Sequence, residues 1–211
     1  MEKECDGQVS DALISPGIKM EKLSLASKSP RRAEILRVIG WPFEVVAADV
    51  DESIREFEAP HVYVERLARE KAAHVAKNYS QEGRLVLGAD TIVVVGDEIL
   101  GKPHDEADAR RMLRLLSESK WHEVLTGIAL LRSGSVEELR GRVSHEKTRV
   151  RFASMSEAEI DWYVKSKEPV DKAGAYAVQG RAALFIEEIQ GDYWNIVGLP
   201  VRLLYKLHSQ V

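Results

Sequence analysis

Asp90 is the first residue whose surroundings point to chemistry. It interrupts an apolar run, with Leu85, Val86, Leu87, Gly88 and Ala89 before it and Ile92, Val93, Val94 and Val95 after it. An ionised carboxylate is expensive to bury there unpaired. A carboxylate at the end of a buried strand suits a general base or a metal ligand, and Thr91 adds a second polar group beside it. The structural alternative is an aspartate at a strand bulge that accepts backbone N–H bonds, with Gly88 allowing the bend.

Three other groups join it. In "SKSPRRAEIL", Ser29 suits a helix N-cap and Pro30 the first helical position, so Arg31 and Arg32 fall in the first turn. Two cations at the positive end of a helix dipole call for an anion, and the guanidinium fork favours phosphate or carboxylate. The alternative is an i,i+3 pair of Arg31 with Glu34 and a solvated Arg32. On the anion reading, Arg32→Ala is expected to weaken binding and to help the ligand-free fold by a few tenths of a kcal/mol. "ADVDES" supplies Asp49, Asp51 and Glu52. Acidic loops are commonly just solvated, but one carboxylate here could join Asp90 around a hard cation shared with substrate phosphates. Lys102 in "GKP" and Lys172 in "EPVDKAGAYAVQG" stand in non-helical stretches; Gly174 permits close approach of a ligand, and Gln179 could read the edge of a base.

The elements that must position these residues alternate between strand and helix. "KLSLAS" reads as a strand leading into the arginine helix, and "FEVVAAD" as a second strand. Val64, Leu67, Lys71, Val75 and Tyr79 recur at helical spacing over 59–79, with Pro60 near the start. "RLVLGADTIVVVGDEIL" reads as a buried strand running into a hairpin turned at Gly96-Asp97. Asp105 caps a helix over 106–118, and the strands "VLTGIALLRS" and "EKTRVRFAS" flank a Gly-containing turn. Ser156 and Glu159 form a capping box that opens a helix ending near "KSKEP". A Gly/Ala-rich loop, the strand "ALFIEEI" and a helix from about Pro200 complete an α/β pattern with a mixed central sheet and flanking helices.

Composition narrows the function classes. A 211-residue chain that is 45% hydrophobic and 30% charged fits one domain, or one large and one small lobe. The net charge of -4 gives no polybasic footprint, so duplex nucleic acid is not expected as a partner. Cys5 is the only cysteine, which excludes an intrachain disulfide and a thiolate zinc site and fits a reducing, cytoplasmic setting. No apolar stretch approaches the roughly 18 residues of a membrane span. Residues 1–21 read as a flexible tail without the apolar centre of a secretion signal, ahead of a single domain over 22–211. There is no Rossmann fingerprint, Walker lysine motif, nucleophile elbow or paired-histidine zinc motif.

"LASKSPRRAEIL", "LAREKA", "LGADTIVVV", "GKP", "EPVDKAGAYAVQG" and "VGLP" occur in one order and spacing. In this the chain resembles the Maf family, the septum-formation-inhibitor-like nucleotide pyrophosphatases, from about Leu23 to the C-terminus. The resemblance implies a fold akin to the inosine triphosphate pyrophosphatases, with a cleft between two lobes. It also implies hydrolysis of a nucleoside triphosphate to the monophosphate and pyrophosphate with a divalent cation (magnesium, manganese or cobalt). Carried over by residue, Asp90 matches the general base, and Glu52 an acidic residue of the metal and phosphate site. Ser27, Arg31, Arg32, Lys71 and Lys102 match residues that grip the triphosphate. Thr91, Gln179 and Arg31 match specificity residues, and Lys172 lies in the same late loop. Thr91 and Gln179 look like the branch acting on dTTP and UTP rather than on 7-methyl-GTP. Ala177 stands where glycine is usual, and Arg181-Ala182-Ala183 replaces a more glycine-rich stretch. A house-cleaning homodimer is the expected form. A 7-methyl-GTP pyrophosphatase and a non-catalytic nucleotide-binding regulator of cell division are the alternatives.

Overall fold

Leu23–Ala26 (β1) is buried along its whole length and pairs in parallel with both Phe43–Val45 (β2) and Leu85–Val95 (β3). Parallel neighbours require crossovers, and two helices supply them: Pro30–Val38 (α1) between β1 and β2, and Pro60–Ala76 (α2) between β2 and β3. Beyond β3 the sheet is antiparallel through Glu98–Leu100 (β4), Trp121–Arg132 (β5), Gly141–Phe152 (β6) and Ile186–Gln190 (β7). The order is β2-β1-β3-β5-β6-β7, with β4 paired to β3, which is the expected mixed sheet. Glu106–Ser119 (α3), Glu157–Lys165 (α4), Tyr193–Val197 (α5) and Val201–His208 (α6) complete the fold. The computed structural model describes residues 19–79, 83–134 and 140–211. Residues 1–18 of the expected tail, and 135–139 of the expected turn between β5 and β6, lie outside the described residues. Glu21, at the end of that expected tail, is tied to Arg132 at 2.9 Å. Among the described residues no helix is long and apolar enough to cross a membrane.

Local signals in the sequence account for most of these boundaries. Asp105 caps α3 by accepting from the Asp108 N–H, and the reciprocal Ser156–Glu159 bonds of a capping box open α4. Several boundaries differ from expectation: β5 begins at Trp121 rather than Val124, and β7 begins at Ile186 because Arg181–Phe185 form a 3-10 turn; two further shifts are larger. β2 stops at Val45, an exposed residue at the sheet edge, so residues 46–59 form an irregular loop up to α2. β6 begins at Gly141, well before "EKTRVRF", because its pairing with β5 extends through polar, half-buried residues that show no apolar alternation.

Two apolar cores flank the middle of β3. One joins Leu23, Leu36, Leu87 and Leu204 from β1, α1, β3 and α6; the other joins Val93, Leu113, Leu116 and Tyr163 from β3, α3 and α4. The expected two lobes are thus two halves sharing one sheet, and Asp90 falls between them. α2 crosses β3 and β5 at this point, at a distance set by two glycines. A Cβ on Gly88 would lie 2.0 Å from the Ala68 carbonyl oxygen, and one on Gly127 would lie 2.2 Å from the Val64 carbonyl oxygen. Gly127 is the cross-strand partner of Asp90, and the register runs unbroken through both positions. Asp90 therefore sits in regular strand rather than at a bulge, and Gly88 serves helix packing rather than a bend.

Gly88→Ala is expected to lower the unfolding free energy by about 1–3 kcal/mol, because backbone must give way. Gly101→Ala, with nothing within 4 Å of its added Cβ, is expected to stay within about 0.5 kcal/mol of the parent. Urea titration of both variants measures the difference.

Candidate active site

α2 carries a lysine on its buried face. Val64, Leu67 and Val75 are fully buried on that helix, and Lys71 falls on the same stripe because the spacing is 3.6. Lys71 Nζ lies 2.6 Å from Asp90 Oδ1 and 2.6 Å from Glu52 Oε1. Lys71 and Asp90 are each only 8% exposed, whereas Glu52 reaches in from the irregular loop with its side chain half exposed. Burial pushes the Asp90 carboxyl above its ordinary value, although Lys71 and Arg32 pull the other way. Burial opposes ionisation of Glu52 too, but the hydrogen bond and charge of Lys71, together with the charges of Lys102 and Arg32, hold that carboxyl below its ordinary value. One ammonium thus joins a carboxylate disposed to take a proton and one disposed to stay charged.

Arg32 is not the solvated cation of the alternative reading. Its side chain is buried, donating from Nε to the Gly198 carbonyl at 2.8 Å, from Nη1 to Ser27 Oγ at 2.9 Å and from Nη2 to Thr91 Oγ1 at 3.0 Å. Thr91 Oγ1 is in turn 3.0 Å from Thr126 Oγ1, which donates to the Asn195 carbonyl at 2.9 Å. These bonds fix every proton in the chain. Thr126 spends its hydrogen on Asn195, so it accepts from Thr91, and Thr91 accepts from Arg32. Two of the five guanidinium N–H groups stay outside these bonds. Ser27 Oγ also accepts from the Ser29 N–H at 3.2 Å, whereas the Ser29 side chain makes no capping bond. Glu34 pairs with Arg37 at 2.6 Å rather than with Arg31. Arg31 is half buried; burial lowers its pKa against the opposing charge of Asp171.

A cleft of about 1110 Å³ opens over Asp90 between the two halves of the sheet. Ten of the residues singled out from the sequence line it as expected: Ser27, Arg31, Arg32, Glu52, Lys71, Asp90, Thr91, Lys102, Lys172 and Gln179. α1 and its preceding turn form one wall, the Glu52 loop another, and the loops bearing Lys102 and Lys172 the third. Burial, and then the charge of Arg31, lower the pKa of Lys172. Asp49 lines the cleft, but Asp51 instead accepts from the Ser53 N–H within its own loop. Sequence reasoning missed Tyr63, Thr126 and Asn195. Thr126 and Asn195 carry no pattern that marks them, and Tyr63 reads as an ordinary helix residue. Among the described residues no group of three or more His, Cys, Asp and Glu side chains is arranged to hold a metal ion. Glu52 and Asp90 nevertheless offer two hard oxygen donors that meet at one point, each 2.6 Å from Lys71 Nζ. Oxygen donors of this kind suit a hard divalent cation that binds through one or two carboxylates and completes its shell with phosphate and water.

The buried bonds of Arg32 reverse the expectation for its removal. Arg32→Ala removes a donor from three oxygens, the Gly198 carbonyl, Ser27 Oγ and Thr91 Oγ1, and is expected to cost about 1.5–3 kcal/mol of stability, read as a lowered denaturation midpoint of the ligand-free protein. An unchanged or raised midpoint would return Arg32 to the role of a surface charge.

The Maf-like protein family model matches residues 22–211. The dTTP/UTP pyrophosphatase of Symbiobacterium thermophilum is 52% identical over 191 residues, covering 90% of this chain and 94% of that protein. The dTTP/UTP pyrophosphatase of Bacillus mycoides is 48% identical over 187 residues, 89% of this chain and 94% of its own. Among solved structures, the Staphylococcus aureus Ham1 protein superposes with a TM-score of 0.52 at 16% identity, covering 90% of this chain and 99% of that one. A Ham1 protein from Coxiella burnetii gives 0.52 at 14%, over 91% and 100%. These two share the fold. The motifs that line the cleft lie within the matched span, and the chain belongs to the Maf family.

Proposed function

We propose that the chain is a nucleoside triphosphate pyrophosphatase that hydrolyses dTTP and UTP to the monophosphate and pyrophosphate. The observation that carries this reading is the buried Asp90, paired to Lys71 at 2.6 Å, in a cleft whose walls carry Arg31, Arg32, Lys102 and Lys172. Such a cleft suits a polyanion, and its carboxylate suits a proton acceptor. Hydrolysis of a phosphoanhydride needs an activated water and charge neutralisation more than covalent chemistry. Asp90 takes a proton from the attacking water, the water oxygen bonds to the α-phosphorus, and the bridging bond to the β-phosphate breaks as pyrophosphate leaves. The remaining N–H groups of Arg32, with Arg31, Lys71 and Lys102, grip the triphosphate. Glu52 and Asp90 would hold a divalent cation, magnesium, manganese or cobalt, which neutralises phosphate charge and acidifies bound water.

Base selection falls to Gln179. Its carboxamide can accept from the N–H of uracil or thymine while donating to a carbonyl. Thr91 has already given its proton to Thr126, so it serves selectivity by fixing Arg32 rather than by donating to a base. The dTTP/UTP activity named for the relatives at 52% and 48% identity supports this choice. The reading includes a cytoplasmic homodimer whose partner is the nucleotide rather than a membrane or duplex nucleic acid. The net charge of -4 accords with the last point.

Asp90→Asn is expected to lower kcat by about 10²–10⁴-fold while the protein stays folded, since the amide fits but takes no proton. The wild-type kcat/KM should fall as pH drops through a pKa above the ordinary aspartate value, because the base must be ionised and burial raises its pKa. Near-normal turnover of a folded Asp90→Asn would remove Asp90 from the mechanism. Selectivity is tested by comparing kcat/KM on dTTP, UTP, CTP, GTP, 7-methyl-GTP and ITP. The two uracil-type substrates should lead, and Gln179→Glu should erode that lead because a carboxylate cannot donate. A wild type that works best on 7-methyl-GTP or ITP would overturn the assignment.

A further inference from the structure

Glu52 meets Lys71 from a loop with no regular structure of its own, residues 46–59. Something must hold that loop, and α2 does so with the turns that precede Lys71. Tyr63 OH donates to the Glu52 carbonyl at 2.7 Å, and Arg66 Nη2 donates to the Ser53 carbonyl at 3.0 Å. Two consecutive carbonyls are thus gripped from one helix face, where the Arg66 guanidinium also lies 5.4 Å from the Tyr63 ring centroid. Arg66 is anchored in turn. It meets Glu58 through Nε at 2.6 Å and Nη2 at 2.7 Å, and Glu70 through Nη1 at 3.1 Å. The side chains of Arg66 and Glu58 are 12% and 5% exposed, so this fork is largely withdrawn from water. Arg55 closes the far side, donating through its backbone N–H to Glu58 and through Nη2 to Glu70. Burial, then the charges of Asp90 and Glu52, push the Tyr63 hydroxyl up to about 12, so it remains a donor throughout the neutral range.

We infer that Tyr63 and Arg66 are positioning residues that clamp the Glu52 loop onto α2 and thereby set the Glu52 carboxylate against Lys71. Neither needs to touch substrate in this role. The geometric part stands on the bonds above; the catalytic consequence rests on the proposed pyrophosphatase reading. Because the loop, Lys71 and the clamp all ride on one helix, a shift of α2 moves the three together and preserves their spacing.

The test uses the full chain with Tyr63→Phe, which deletes one hydroxyl, together with Arg66→Met and Arg66→Lys. Amide hydrogen exchange over residues 50–58 should speed up about 3-fold or more in Tyr63→Phe and Arg66→Met, with β3 and β5 unchanged. With dTTP at saturating magnesium, both should lose about 5-fold or more in kcat with KM within about 2-fold, and Arg66→Lys should recover part of the loss. Placed on Glu52→Gln, the same changes should add almost nothing, because they act through that carboxylate. Full losses in the Glu52→Gln background, or unchanged exchange over 50–58, would overturn the clamp. If Arg66→Met fails to fold, Tyr63→Phe decides alone. If the wild type hydrolyses no nucleoside triphosphate, the functional reading fails and the exchange rates still decide whether the clamp exists.

Discussion

A single ammonium group, that of Lys71, holds together the centre of this protein. It occupies the point where a buried strand, a buried helix face and an exposed loop converge, and it is 2.6 Å from a carboxylate on each of the strand and the loop. Without it Asp90 would face an apolar sheet with no close cation but Arg32, and burial would drive its carboxyl toward the neutral form. The pair is a poor stability device. Desolvating two charges offsets most of what their attraction returns, and an apolar pair of similar volume often serves the fold as well. A buried Lys–Asp pair in a solvent-lined cleft is better explained by the chemistry it makes possible.

The surrounding architecture follows from keeping that pair in register. α2 has to lie close enough to β3 and β5 for a lysine side chain to reach a strand carboxylate, so Gly88 and Gly127 stand where any Cβ would strike helix backbone. Arg32 has to offer donors at fixed angles beside Asp90, so a chain through Thr91, Thr126 and the Asn195 carbonyl orders its hydroxyl protons in one direction. The Gly198 carbonyl that receives Arg32 Nε comes from the left-handed cap of α5, with φ at 116°. Parts far apart in sequence are thus committed to one guanidinium and one ammonium.

Much of this was legible in the chain because charge inside an apolar pattern is a strong signal. Asp90 breaks a run of β-branched and aliphatic residues, whereas Lys71 is marked only by its helical spacing with Val64, Leu67 and Val75 and by the Maf resemblance; the fold sets one against the other. Capping residues and the Gly96-Asp97 turn placed the elements to within a few residues. What stayed hidden depended on partners without local pattern. For Arg32 the first-turn position leaves an anion ligand and a solvated charge both open, and it does not show the anchorage that the Gly198 carbonyl and Thr91 bring from distant parts of the chain. Thr126 and Asn195 are single polar residues whose meaning lies wholly in tertiary contact. The Glu52 loop reads as a solvated acidic stretch, and only the side of α2 facing it shows why its carboxylate can be held in place.

The dependence of Asp90 on Lys71 is most directly tested by carboxyl NMR titration of Asp90 in the wild type and in Lys71→Met. Burial raises the Asp90 pKa and the Lys71 charge opposes that rise, so the wild-type value should lie above the ordinary aspartate range and be higher still in Lys71→Met. An ordinary value in the wild type that does not move when Lys71 is removed would contradict that dependence.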